Sequence, residues 1–147
     1  MTKVNDFETD LLEHIFENVA IANVGDAGGL PISVSAGSLY IALFTASPTD
    51  TGSFANEATY TGYARAAIGR TVGNWTTASG ATTNTNAITF AACTALSDTV
   101  THFAICKDLS TSTSDFMVYW GALTASLAIS AGITPEFAAT DLDVSED

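Results

Sequence analysis

The two histidines and two cysteines are the side chains from which a nucleophilic or acid–base site would have to be built. His102 and Cys106 are four residues apart in one strand-like segment, so they share a face of that strand. A strand rises about 3.3 Å per residue, which places them roughly 13 Å apart, too far for a Cys–His dyad. His14 lies in a helical segment with acidic neighbours. We therefore expect both histidines to be structural, with no catalytic residue and no enzymatic activity.

Acidic side chains near the C-terminus are oxygen donors of the kind that Ca²⁺ takes. They are Asp141, Asp143, Glu146 and Asp147. Their spacing matches no EF-hand loop, so an acidic, solvated tail is the simpler interpretation, and cation binding stays open. Gly25–Gly29 lacks the Lys-Ser/Thr pair of a phosphate loop and is interpreted as a hinge. We predict no metal and no cofactor.

Cys93 and Cys106 each lie in an apolar, strand-like run. A disulfide framework needs more cysteines in a shorter secreted chain. We expect two buried free thiols. The alternative, that the two cysteines pair if their strands are neighbours, stays open.

The charge balance excludes several classes of partner. The 147 residues include 4 Lys and Arg against 16 Asp and Glu, a net charge of −12. Binding to nucleic acid or to an anionic membrane surface needs clustered basic side chains, and these four are scattered. No run of 18 apolar residues is present, so we expect no transmembrane helix. A hydrophobic fraction of 47% excludes a wholly disordered chain.

The spacing of apolar residues predicts an amphipathic helix at the N-terminus. Its apolar stripe consists of Phe7, Leu11, Leu12, Ile15, Phe16 and Val19. Asn5 is the predicted N-cap, with Glu8 completing a capping box, and the helix is expected to end near Ala22. The stripe either covers the open end of the β-domain or reaches a neighbouring subunit. In the second case Phe7, Leu11, Ile15, Phe16 and Val19 form an assembly interface.

The chain after the helix has the pattern of β-strands, rich in Thr, Val, Ile and aromatic residues between frequent turn signals. Leu39–Ala46 is nearly all apolar, as expected for a strand covered on both faces. Phe116–Thr124 is the longest apolar strand, and we expect it to bury Trp120 in the core. The polar segment Ala78–Asn86 is expected to be a loop or a sheet edge.

These patterns predict a mainly β fold, an antiparallel β-sandwich or jelly-roll-like domain with an N-terminal α-helix. The β-domain is expected at residues 31–147. The helical arm and its glycine-rich hinge are expected at residues 1–30. Short strands separated by turns favour this arrangement over a βαβ fold.

Several motifs follow one another in an order that is more specific than any one of them. They are Leu39–Ala46, Gly62–Arg65, Trp75, Asn86–Phe90, Val100–Ile105, Tyr119–Thr124 and Pro135–Ala138. In this order, over roughly residues 37–144, the chain resembles small virion proteins of tailed bacteriophages, often labelled tail fibre or virion structural proteins. The resemblance implies a β-rich structural protein without enzymatic activity, and it leaves out the helical arm.

A surface with few charges and many small side chains packs against neighbours with little desolvation penalty. We therefore expect a capsid decoration (cement) protein of a bacteriophage, on the outer capsid surface. It would form a homo-oligomer, a trimer by analogy with cement proteins, and bind the major capsid protein or other virion proteins. One alternative is a tail or tail-fibre-associated adaptor. A further alternative is a carbohydrate-binding β-sandwich that stacks sugars on Trp75, Trp120 or Tyr63.

Overall fold

The computed structural model describes residues 2–146 and is mainly β, with antiparallel sheets and one short helix near the N-terminus. This architecture confirms the predicted fold class. The strands are β1 (Ser38–Phe44), β2 (Ala66–Gly69), β3 (Trp75–Ala78), β4 (Ala81–Asn84), β5 (Ile88–Thr89), β6 (Asp98–Cys106), β7 (Met117–Ile129), β8 (Glu136–Phe137) and β9 (Asp143–Ser145). Within the described residues they form a four-stranded sheet ordered β2-β1-β6-β7, a three-stranded sheet ordered β3-β4-β9, and a pair of β5 with β8.

The chain folds into two compact units, each assembled from separate stretches of sequence. The helix unit comprises the described residues of Met1–Ser38, Gly69–Ile88 and Phe137–Asp147. The sheet unit comprises Leu39–Ile68 and Thr89–Glu136. The arm and hinge expected at residues 1–30 and the β-domain expected at 31–147 stay predictions. None of the helical segments among residues 2–146 has the length and apolar character that crossing a membrane requires.

The N-terminal helix begins differently from the prediction. α1 spans Asn5–Leu12, so Val4, with extended backbone, occupies the N-cap position. Asn5 is already helical, one residue too late for its side chain to cap the first turn. Glu8 completes no capping box either, because its largely buried carboxylate lies against Gly80 in the β3–β4 turn. The predicted capping arrangement is therefore wrong.

The helix also ends earlier than the expected stop near Ala22. A π-helical turn, Glu13–Glu17, follows α1, and Asn18 ends it with a left-handed φ of 58°. Asparagine adopts this conformation more readily than most residues. The Asn18 amide nitrogen donates to the Ser33 carbonyl at 3.1 Å, and its oxygen accepts from the Ser33 N–H at 2.9 Å. These two side-chain bonds hold the chain as it leaves the helix.

Arg70 supplies donors to the carbonyls that this ending leaves open. Its Nε donates to the Ile15 carbonyl at 2.6 Å, and one terminal nitrogen donates to the His14 carbonyl at 2.7 Å. The other terminal nitrogen donates to the Ala36 carbonyl at 3.2 Å. A cation at the negative end of a helix stabilises it, so Arg70 fixes the helix within its unit.

Strand β4 departs most from the predicted pattern. It falls within Ala78–Asn86, expected as a loop or edge, yet it is the central strand between β3 and β9. The Asn84 side chain is fully buried. Its nitrogen donates to the carbonyls of Asn86 (2.8 Å) and Ala138 (2.7 Å), and its oxygen accepts from the Leu142 N–H (2.9 Å). Because each polar atom has a partner, a polar strand is tolerated inside.

The centre of the sheet unit is the pair formed by β1 and β6. The two strands run antiparallel, with Ile41 opposite Ile105 and Ala42 opposite Ala104. Every residue of Ile41–Phe44 is buried, so β1 is covered on both faces, as its apolar sequence predicted. This buried pair forms the base of the sheet, and β7 lies beside β6.

Candidate functional site

The most unusual surface of the sheet unit is its edge strand. β7 contains 13 residues, Met117–Ile129, and none of them is charged. It pairs with β6 on one side and ends the sheet on the other, so its outer backbone groups have no strand partner among the described residues. No residue of β7 before Ile129 is buried. Natural edge strands usually carry charges or proline that keep other strands away, and β7 has neither.

A bulge divides β7 into two parts. Ala122 lies opposite His102 and Leu127 opposite Val100, so β7 uses more residues than β6 over the same stretch. Such a bulge bends the strand and increases its twist. A second register shift lies between Met117 and Tyr119, so the edge offers two regularly paired segments, Tyr119–Ala122 and Leu127–Ile129.

The two tryptophans differ sharply in their exposure to solvent. Trp120, expected in the core, is 38% exposed, because the strand that carries it lies at a sheet edge. Trp75, a candidate sugar platform, is 1% exposed, and its ring packs edge-on against Phe16 with centroids 4.7 Å apart. The prediction of a buried Trp120 is wrong, and Trp75 has no open face for stacking.

A cleft of about 440 Å³ opens beside Trp120. One wall is the turn after β1, Thr49–Gly52, and the other is the start of β7 with the 3₁₀ turn Ser114–Phe116. Asp50 and Asp115 line it, and neither carboxylate has an ion-pair or hydrogen-bond partner among residues 2–146. The cleft thus combines an exposed indole with unused hydrogen-bond acceptors, which sequence reasoning missed because the two walls are distant in the chain.

A second cleft, of about 500 Å³, is lined by Glu57, Tyr63 and Arg65. The Arg65 side chain is 3% exposed and grips Glu57 through two bonds, of 2.7 and 2.8 Å. Its other three N–H groups donate to the carbonyls of Asp108 and Thr111, each at 2.9 Å, and to the Ser112 hydroxyl at 3.1 Å. All five guanidinium donors are used.

Arg65 therefore has a structural role and has no donor left for a ligand. It holds Glu57 and the β6–β7 loop together, an arrangement that we call the latch. Its bonds to Glu57 are the first reason that the pKa of Arg65 is raised, although burial acts in the opposite direction. The sequence holds one usable signal for this latch: a rare cation in a strand-like apolar run must find a carboxylate.

Tyr63 belongs to the same latch and not to a sugar platform. Its hydroxyl donates to Glu57 Oε1 at 2.9 Å and accepts from the Leu43 N–H at 3.1 Å. Burial, together with the neighbouring Glu57 carboxylate, raises the pKa of Tyr63. The hydroxyl stays protonated, and its two bonds link Glu57 to Leu43 in β1.

The histidines and cysteines do not form one site. The imidazole of His14 bonds to the Val19 carbonyl at 2.7 Å, and that of His102 to the Thr101 hydroxyl at 2.8 Å. Cys93 and Cys106 are free and buried, as predicted, and Cys93 Sγ donates to two backbone carbonyls. Burial raises the pKa of Cys106 to about 12, so its thiol is not ionised near neutral pH.

The C-terminal acids are not gathered into a metal site in the described part of the chain. No group of three or more His, Cys, Asp or Glu side chains is placed to hold an ion within residues 2–146. Glu146 forms an ion pair with Lys3 at 2.9 Å. Asp141 and Asp143 are exposed, and Asp147 lies outside the described residues.

The glycine-rich stretch forms a closed turn, with Ile21 bridged to Leu30, and its role as a hinge stays a prediction.

Only part of the apolar stripe of the helix packs into the interior. Phe16 is fully buried against Trp75, so it is not available to a partner. Phe7 is 37% exposed, and three further members of the stripe are half-buried. These three are Leu11, Ile15 and Val19. An assembly role for the stripe stays a prediction.

Comparison with known proteins gives one informative match. A protein-family model described as "Podophage GP4 fiber I protein gp80" matches residues 3–145. This confirms the resemblance to phage virion structural proteins, and it corrects the extent, because the match includes the N-terminal helix that the resemblance left out. No curated protein matches the chain significantly.

Proposed function

This chain belongs to the podophage GP4 fiber I protein gp80 family, and from that membership we propose that it is an assembly module of a virion fibre. The module works by binding and performs no reaction. The observation that carries the proposal is β7, a 13-residue uncharged strand without a buried residue before Ile129. The open backbone groups of an edge strand of this length are expected to be paired in the assembled particle.

The partner that we propose for β7 is another copy of the same chain. Pairing of two edge strands completes the backbone hydrogen bonds of both and gives a closed homo-oligomer. A net charge of −12 makes copies repel one another, and that repulsion is weakest along a strand that carries no charge. The bulge between Ala122 and Leu127 bends the edge, which favours a finite assembly over continuous strand addition.

A lysine in β7 tests this proposal. Leu127→Lys places a charge on the edge, and we expect it to convert the oligomer into a 15.2 kDa monomer in light scattering coupled to size exclusion. Leu109→Lys is the matched control, because Leu109 is also an exposed leucine, at 51% against 37% for Leu127, and lies in the β6–β7 loop. The control should keep the oligomer. A wild-type chain that stays monomeric at every concentration contradicts the proposal.

The second candidate is the capsid decoration protein, and the acidity of the chain favours it. A net charge of −12 suits an outward-facing surface better than one that faces packaged DNA. Electron microscopy of virions with a gold-labelled antibody separates the two. Label on fibres, at the low copy number that fibres set, supports the first function. Label over the whole capsid, at a copy number near that of the major capsid protein, supports the second.

A further inference from the structure

We propose that the cleft beside Trp120 binds a saccharide that lacks acidic groups. The proposal goes beyond assembly, because it concerns a ligand of the sheet unit and not a contact between copies. With a volume of about 440 Å³, the cleft is in the size range of small-molecule sites. The groups that the argument uses are Thr49, Asp50, Gly52, Ser114, Asp115 and Trp120.

Trp120 supplies the platform. Its ring is 38% exposed and has His102 on one side, with ring centroids 6.1 Å apart and an interplanar angle of 46°. Its indole N–H makes no hydrogen bond to any of residues 2–146. An indole is apolar across its face and polar at its N–H. That combination suits a sugar ring, which has C–H groups on one face and hydroxyls around its rim.

Unused polar groups distinguish this cleft from the one at Arg65. There every guanidinium donor and the Tyr63 hydroxyl already have partners inside the protein. Here the carboxylates of Asp50 and Asp115 are both exposed and both lack a partner within residues 2–146. A ligand that donates hydrogen bonds from several hydroxyls can use them without breaking any existing bond.

Charge limits the class of sugar. Two carboxylates in a chain of net charge −12 disfavour a uronic or sialic acid, whose own carboxylate would face like charge. Neutral hexoses and amine-bearing hexoses remain. For the amine-bearing sugars, an ammonium group near Asp50 or Asp115 adds attraction.

The cleft is held open before any ligand binds. Gly52 has a left-handed φ of 64°, and a Cβ built there would lie 3.1 Å from Ser114, so the two walls are already in contact. Thr49, on the same turn, has a φ of 58°, an unusual value for a β-branched residue. Strained backbone of this kind concentrates at binding sites, and a preformed site loses less entropy when it binds.

The test is an array of immobilised neutral, amine-bearing and acidic glycans, probed with the full chain. We expect binding to neutral or amine-bearing glycans and none to the acidic ones. Trp120→Ala should weaken binding about tenfold, the factor for losing an aromatic contact of about 1.4 kcal/mol. Leu109→Ala is the matched control, because Leu109 is 51% exposed in the β6–β7 loop, outside both the cleft and β7.

A second variant keeps the proposal falsifiable if Trp120→Ala fails to fold. Asp115→Asn removes only a charge and should reduce binding of an amine-bearing glycan. Choline serves as a probe for a site that takes any organic cation. Competition by choline, binding to acidic glycans only, or binding that Trp120→Ala leaves unchanged would each overturn the proposal. The same samples, run through light scattering, report the oligomeric state, so a failure of sugar binding and a failure of assembly are read separately.

Discussion

β4 and β7 lie in different sheets and differ in both composition and surroundings. β4 is Ala-Thr-Thr-Asn, and its place between β3 and β9 buries Thr82 and Asn84 completely. β7 is rich in apolar residues, and its place at the edge of the larger sheet leaves all but Ile129 at least partly exposed. The number of neighbouring strands, and not the polarity of the segment, decides which of the two is covered.

The difference separates two uses of a strand. A polar strand can lie in the interior when each buried polar atom has a partner, as Asn84 has in its three bonds. An apolar strand left at an edge buries little of its side-chain surface, and that exposed surface is available to a partner. β4 therefore serves stability, and β7 is the strand that we propose for binding.

The largest expected difference between the two strands comes from truncating one tryptophan next to β4 and one in β7. Trp75→Ala removes a fully buried ring next to β4 and should destabilise the protein by about 3–5 kcal/mol. Trp120→Ala removes a ring from β7 and should cost less than about 1 kcal/mol. Urea denaturation followed by circular dichroism measures both. Equal losses would show that β7 is buried after all.

A smaller effect is expected from Asn84→Ala. The substitution removes three hydrogen bonds and leaves the N–H of the buried Leu142 without its partner, so we expect a loss of about 3 kcal/mol. Thr83→Ala on the same strand, at a half-buried position, is the control and should cost less than about 1 kcal/mol. If both variants unfold at the same urea concentration, the side chain of Asn84 does not support β4.

The smallest expected effect is a pH response that is confined to the loop leading into β7. Asp108 accepts from the N–H groups of Ser110 (2.9 Å) and Thr111 (2.7 Å), and these bonds lower its pKa from 3.8 to about 2. Because the folded pKa is the lower one, the stabilisation is present above 3.8 and is lost as pH falls towards 2. Amide hydrogen exchange at Ser110 and Thr111 should accelerate over that range while exchange in β4 does not.

Asp108→Asn keeps an acceptor oxygen at the same place without a titrating group. The variant should therefore show no change in loop exchange over this pH range. Acceleration that persists in Asp108→Asn would assign the acid response to another group.

Apolar patterning predicted the parts of this molecule whose composition and burial agree. Leu39–Ala46 was recognised as a covered strand because nearly every residue in it is apolar, and β6 and the N-terminal helix were recognised for related reasons. Apolar patterning could not find β4, because asparagine is typical of loops and a polar segment carries no apolar signal. Its place inside the sheet depends on neighbouring strands and on hydrogen-bond partners for Asn84 that come from other parts of the chain.

The candidate site was less predictable than the fold. Trp120 lies in the longest apolar strand, and only the sheet order shows that this strand has a neighbour on one side alone. The cleft depends on Asp50 and Asp115, which come from separate turns, and the latch depends on Glu57, which reaches Arg65 from irregular backbone. The spacing of residues in the sequence carries no information about such contacts between separate segments.

The two buried thiols have a practical consequence for locating this protein in a particle. Neither sulfur is accessible, and Cys106 holds its proton far above neutral pH, so maleimide reagents should leave the wild-type chain unlabelled. One cysteine introduced on an exposed turn would then be the sole point of attachment for a dye or a gold cluster, with no need to remove the natural pair first.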